Sequence, residues 1–175
     1  MMKKRRILLV SLLGCAMVAM LSTRIAFGTT MVKMSLAQMT QSASLVVEGK
    51  VVGKQSRWDE AHRYIITEVS VAVSQTLKGK VVSPVTVRVL GGEVAGVGLF
   101  VAGSPSFEVG QEVLLLLETH PTRDYRVVGF HQGKYDITVE QQTGKKWAKS
   151  AAEPNYAPLE DLEARIQAIV KGAQP

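Results

Sequence analysis

The chain has a single cysteine in 175 residues, Cys15. Everything after position 28 lacks one, so that portion can form neither an internal disulfide nor a thiolate metal site. Polar aromatic groups are also few: three His, two Trp and four Tyr give little from which to build a site. The formal net charge of +6 misleads, because five of the 21 basic residues (Lys3, Lys4, Arg5, Arg6, Arg24) and no acidic residue fall within residues 1–28. Twenty-one less five leaves 16 basic against 15 acidic residues, a net of +1. Nucleic-acid binding needs clustered Lys and Arg in the folded part. The nearest cluster, Lys145, Lys146 and Lys149, reads as a solvated turn. The chain has no internal repeat and no low-complexity segment.

The longest apolar run, residues 7–21, is about 15 residues, short of the ~20 that a spanning helix needs. It follows the four basic residues and precedes Ala26-Phe27-Gly28. Basic start, apolar middle and small residues at the end form the layout of an export signal, with cleavage expected after Gly28. A second reading is lipidation, since Leu12-Leu13-Gly14-Cys15 resembles a lipobox. Leu13 is bulky where a small or β-branched residue is usual, and the apolar run continues past Cys15. The expected product is therefore soluble, periplasmic or extracellular, with a lipid anchor on Cys15 as the alternative and no membrane span after processing. The remaining ~147 residues suffice for one core without disulfides.

Residues 34–43 predict a short helix, capped by Ser35, with Leu36 and Met39 on one face. Residues 45–52 are β-branched and predict a strand in which Gly49 marks a bulge or bend. Ile65, Thr67, Val69, Val71 and Val73 alternate with polar and small residues, the sign of a half-buried strand. Its length implies bending, as in closed barrels. Val85, Val87 and Val89 predict a third strand opened by Pro84, and residues 99–101 a short one. Residues 113–117, Val-Leu-Leu-Leu-Leu, predict a strand buried on both faces. Residues 125–130 and 134–140 predict two more, preceded by a hairpin loop at 120–124 and followed by a turn at 142–145. Residues 91–98, rich in glycine, read as irregular, and residues 150–156 as a linker. Pro158 suits a first helical turn, followed by Glu160, Asp161 and Glu163. Leu159, Leu162, Ile166, Ile169 and Val170 form one apolar stripe. The fold expected is mainly β, a small closed or partly open OB-like barrel of five to six strands with one N-terminal and one C-terminal helix. Its parts are a signal at 1–28, a barrel at 29–149, and a linker with a packed amphipathic helix at 150–175.

Ser44-Leu45-Val46-Val47-Glu48-Gly49-Lys50-Val51, Gly91-Gly92-Glu93 and the stretch from Gly103-Ser104-Pro105-Ser106 through Leu116 resemble a group of uncharacterised exported bacterial proteins over most of residues 36–140. The strand pattern is also similar to the netrin-like domains of tissue metalloproteinase inhibitors, which are OB-type barrels flanked by helices. In those inhibitors an N-terminal cysteine chelates the protease zinc. No cysteine follows position 28 here, so that chemistry does not carry over.

Catalytic constellations are hard to find. His62, His120 and His131 lack helical ligand spacing, and there is no HExxH. Gly103-Ser104-Pro105-Ser106 lacks the second glycine of a nucleophile elbow. Residues 91–98 lack the GKS/T end of a phosphate loop. No metal, cofactor or catalytic set is therefore assigned. The candidate contact residues are Trp58 and Arg57, of types favoured in interfaces, and Glu93 in the glycine-rich segment. The expectation is a non-enzymatic binding module whose partner is an exported or envelope protein. One alternative is an inhibitor or accessory of a co-exported protease. Another is a hydrolase using Glu93, His131 and Asp136.

Overall fold

The computed structural model describes residues 31–80, 83–120, 124–153 and 155–172. The export signal, its cut after Gly28 and Cys15 lie outside the described residues, as do Pro121 to Arg123 of the expected 120–124 turn. Helix α1 (Leu36–Ser42) begins with a capping box. The Gln38 N–H donates to the Ser35 hydroxyl at 3.2 Å, and the Ser35 N–H donates to Gln38 Oε1 at 2.8 Å, so two orphan helix donors are satisfied.

Two long antiparallel strands follow, β1 (Leu45–Trp58) and β2 (Ile65–Lys78), then β3 (Val85–Leu90). The register between β1 and β2 slips next to Gly49, where a Cβ would lie 2.4 Å from the Ala72 carbonyl oxygen. Only glycine permits that approach, and the bend it allows turns the sheet toward closure. Closure is completed by β6 (Glu112–Thr119), which pairs with β1, and by β7 (Tyr125–Val127), which bridges β6 to β3. The ring β1-β2-β3-β7-β6, with β3 and β7 parallel and the other pairs antiparallel, is an OB-like barrel. Outside the ring, β8 (Lys134–Val139), β9 (Lys146–Ser150) and β10 (Ala157–Pro158) extend the sheet from β6.

Several local expectations change. Residues 91–98 are mostly a hairpin, β4 (Gly92–Val94) and β5 (Val97–Leu99), turning at Ala95 and Gly96. The lysine cluster is no turn, because Lys146 and Lys149 lie in β9, paired with β8. Residue 150 ends that strand and β10 returns to pair with it, so the expected linker is a short loop between paired strands. Pro158 caps helix α2 (Leu159–Val170) rather than entering its first turn.

β6 explains its own apolar run. Val113, Leu115 and Leu117 point into the barrel with Val47, Val69, Val87 and Phe107. Leu114 and Leu116 point outward, into a second core with Val46, Tyr135, Met39, Leu162 and Ile166. Because side chains alternate across a strand, one strand serves two cores. Both helices cover the second. Of the α2 stripe, Leu159, Leu162 and Ile166 are buried, whereas Val170 stays exposed. Among the described residues, no helix is long and apolar enough to cross a membrane.

Candidate functional site at the barrel mouth

Ser56 of β1, Thr67 of β2 and Leu90 of β3 border a cleft. The β4–β5 hairpin folds over it, anchored by a short polar chain. The Gly91 N–H donates to the Ile65 carbonyl at 2.8 Å, the Thr67 hydroxyl donates to the Gly91 carbonyl at 2.6 Å, and the Ser56 and Thr67 hydroxyls lie 2.9 Å apart. Gly92 sits directly above that pair at φ 134°, where any Cβ would come within 2.5 Å of both hydroxyls. A side chain here would lift the hairpin off the barrel.

The opposite wall is the long connection from β5 to β6. It is stitched down by a 2.9 Å bond from Lys54 Nζ to the Phe107 carbonyl and by a 2.6 Å bond from the Ser104 hydroxyl to the Leu90 carbonyl. Gly110 donates to the Val51 carbonyl at 2.8 Å, and Val51 returns a bond to Gln111 at 2.9 Å. Phe107 is buried in the barrel core, and Lys134 places its ammonium 5.0 Å from the ring centre.

Between these walls the cleft measures about 660 Å³. Its floor is Val69, Val89 and Phe107, with Ser56 and Thr67 as the polar groups. Lys54, Glu93 and Glu108 line it as well, and Lys54 reaches Glu108 at 3.3 Å. Phe100 also lines it and is 90% exposed. A second cleft of about 260 Å³ adjoins across Ser104 and Pro105, bounded by Arg88, Arg126 and Phe130.

Glu93 therefore lines the cleft, as an exposed residue of β4. Arg57 and Trp58 end β1 but do not line the cleft. Arg57 donates from Nε and Nη2 to one oxygen, Glu68 Oε1, at 2.9 and 2.6 Å, which ties the end of β1 to β2. The half-buried Trp58 lies against His62, with ring centres 6.3 Å apart. Asp59, in the same loop, accepts from the Tyr64 N–H at 3.1 Å and from the Arg63 N–H. The Tyr64 bond is the leading cause that holds its carboxyl below the usual value of 3.8.

His131 and Asp136 lie away from Glu93, and neither lines the cleft. His131 Nδ1 is 3.1 Å from the Gly103 carbonyl oxygen, while Asp136 accepts from Gln111 at 2.9 Å and from Lys134. Among the described residues, no three of His, Cys, Asp and Glu converge as metal ligands.

Four residues lining the cleft were not read from the sequence as site residues. Lys54 and Ser56, spaced by two on β1, carry a faint signal of a shared face. Phe100 and Phe107 carry none: the chain between β5 and β6 is irregular, and only the fold decides that one ring is exposed and the other buried. No protein-family model matches the chain, and no curated protein matches it either.

Proposed function

We propose that this chain is an exported, non-enzymatic binding module that engages a protein partner through the barrel mouth. The observation that carries the reading is Phe100, 90% exposed at the rim of a cleft of about 660 Å³. An uncovered aromatic ring beside further exposed apolar side chains, Leu90 and Val97, marks a contact surface. The polar groups favour holding over chemistry. The Ser56 and Thr67 hydroxyls are spent on each other and on Gly91, and Lys54 is held by a carbonyl and a carboxylate. Nucleophilic catalysis needs a hydroxyl next to a free base, which this geometry does not supply. Export rests on the layout of residues 1–28.

The test places the photo-crosslinker p-benzoylphenylalanine at position 100 and, separately, at position 139, an exposed site on β8. Irradiation is done in the producing cells. A single defined protein adduct is expected at position 100 and none at 139. Equal adduct patterns at the two positions, or no adduct at 100, would sink the reading. Intact mass of the isolated protein checks export: a chain starting at Thr29 supports it, and an uncut chain refutes it.

A further inference from the structure

Cross-strand side-chain pairs stabilise most hairpins, but the β4–β5 hairpin lacks one at its middle rung. There Glu93 stands directly opposite Gly98. Phe100 follows Gly98 by two residues, so its ring rises from the same face as Glu93. Across from Phe100 the chain is again glycine. A Cβ on Gly91 would lie 2.8 Å from the Leu99 carbonyl oxygen and 3.8 Å from the Val101 nitrogen, on either side of Phe100. One face of the hairpin thus holds a carboxylate and an aromatic ring with no side chain between them. Gly91 and Gly92 have positive φ and close neighbours, which explains both glycines. Gly98 has neither: its φ lies outside the left-handed region, and a Cβ there would meet nothing within 4 Å. The pairing around it also carries no bulge. A strand glycine that neither the backbone nor the packing requires marks a place where something else comes close.

The charges around the cleft do not cancel. Lys54, Glu93 and Glu108 line it, one cation against two carboxylates. Lys54 is committed to the Phe107 carbonyl at 2.9 Å and to Glu108 at 3.3 Å. Glu93 is exposed and, among the described residues, its side chain has no ion pair and no hydrogen bond. The unbalanced charge of the cleft is therefore the Glu93 carboxylate. The ring beside it is unmatched as well. Cations lie over Tyr64, Phe107, Trp147 and Tyr156, and among the described residues none lies over Phe100.

Resting on the binding-module reading, we propose that the slot over Gly98 takes an arginine side chain of the protein partner, with its guanidinium on the Phe100 ring and its N–H groups directed at the Glu93 carboxylate. Diagonal neighbours on a hairpin face stand about 7 Å apart, a span that one guanidinium can bridge. A ring face attracts a cation within about 6 Å of its centre. Arginine suits the pair better than lysine. A planar guanidinium stacks on the ring and still donates, in its own plane, to a carboxylate. An ammonium is a compact, strongly hydrated point charge and cannot do both. The aliphatic stem of the arginine lies over the bare Gly98, where any side chain would stand in its path.

The probes are three capped tripeptides, alanine–X–alanine, titrated into the ¹⁵N-labelled protein. X is arginine, lysine or citrulline, the last keeping the planar shape without the charge. The arginine peptide is expected to shift the amides of Glu93, Gly98 and Phe100, and the other two to bind about threefold to fivefold more weakly. Glu93→Gln should weaken the arginine peptide about fivefold. Gly98→Val, at a position whose φ suits any residue, should abolish its shifts and leave the rest of the spectrum in place. Equal binding of the lysine or citrulline peptide, full binding by Gly98→Val, shifts centred away from the hairpin, or no shift at tens of millimolar peptide would each overturn arginine recognition. The crosslinker at position 100 captures a protein partner whatever its charge. An adduct there without discrimination among the peptides refutes this inference alone, whereas a missing adduct refutes the binding module itself.

Discussion

The two flanks of the barrel are finished in opposite ways. On the flank carrying β8 and β9, the outward side chains of β1 and β6 lie beneath α1 and α2, in a core that includes Val46, Leu114, Leu116 and Ile166, all fully buried. On the flank carrying β3 and the hairpin, no helix of the described residues is laid down, and Leu90, Val97, Phe100 and Phe130 are exposed around two adjoining clefts. Exposed apolar side chains on the covered flank, such as Val139, Val170 and Tyr156, sit at element ends or under a lysine, as with Lys149 4.9 Å from the Tyr156 ring. The contrast separates stability from recognition. Burial against the helices holds the barrel together, so the open flank can keep an uncovered surface without supporting the fold.

The largest effect should come from breaking the covered flank. Leu116→Ala removes a fully buried side chain from the outer core and is expected to cost about 3–4 kcal/mol in urea unfolding, whereas Leu90→Ala on the open flank should change stability by less than about 0.5 kcal/mol. Comparable losses at the two positions would erase the distinction.

A middle-sized effect should come from the charge cluster that ties β9 to β1 and β6. Lys146 bonds Glu48 at 2.9 Å and lies 3.2 Å from Glu112, and the Glu48 side chain is only 10% exposed. The bond to Glu48 is the main cause that raises the Lys146 ammonium above its usual 10.5. The stabilisation is therefore complete below pH 10.5 and is lost as pH rises through the raised value. Lys146→Ala leaves Glu48 facing other carboxylates and should cost roughly 1–2 kcal/mol at neutral pH. The deficit should shrink as pH rises through the raised Lys146 value, where the ammonium of the unaltered chain loses its proton. A pH-independent deficit in thermal melts would mean that packing, not charge, is lost.

The smallest effect concerns Glu163 of α2. Burial first, and then the facing Glu48, raise its carboxyl above the usual 4.5. The folded chain therefore holds a proton that the unfolded chain releases near 4.5, and stability falls as pH rises through that window. Glu163→Gln should flatten this slope and add about 0.5 kcal/mol at pH 7, small because solvent screens the group. An unchanged slope of Tm against pH between 4 and 8 would refute the assignment.

Much of the barrel is legible in short patterns. Alternation from Ile65 to Val73 marks β2, the Val113 to Leu117 run marks a strand buried on both faces, and Ser35 marks a helix start. Each depends on residues within one or two turns of each other. What escaped depends on distant partners. Lys146 to Ser150 has no clean alternation, and it becomes β9 because β8 offers an edge. Residues 125–130 look like one strand, yet β7 stops at Val127 because Leu116 pairs with both ends of an inserted loop. Glu93 was legible as an exposed candidate in the glycine-rich segment but not as a residue of strand β4, and the distinction between exposed Phe100 and buried Phe107 was not legible at all.

By itself, then, the sequence determines a β-rich chain with two flanking helices, a nearly neutral charge after residue 28 and strands that must bend. Periodicity and composition are local properties, and they survive in any arrangement of the strands. Only the tertiary structure decides that five strands close on themselves, that helices seal one flank, and that the other is left open beside β3. Those outcomes rest on pairings as long-range as Val46 with Leu116 and Lys146 with Glu48, whose geometry no local stretch of sequence contains.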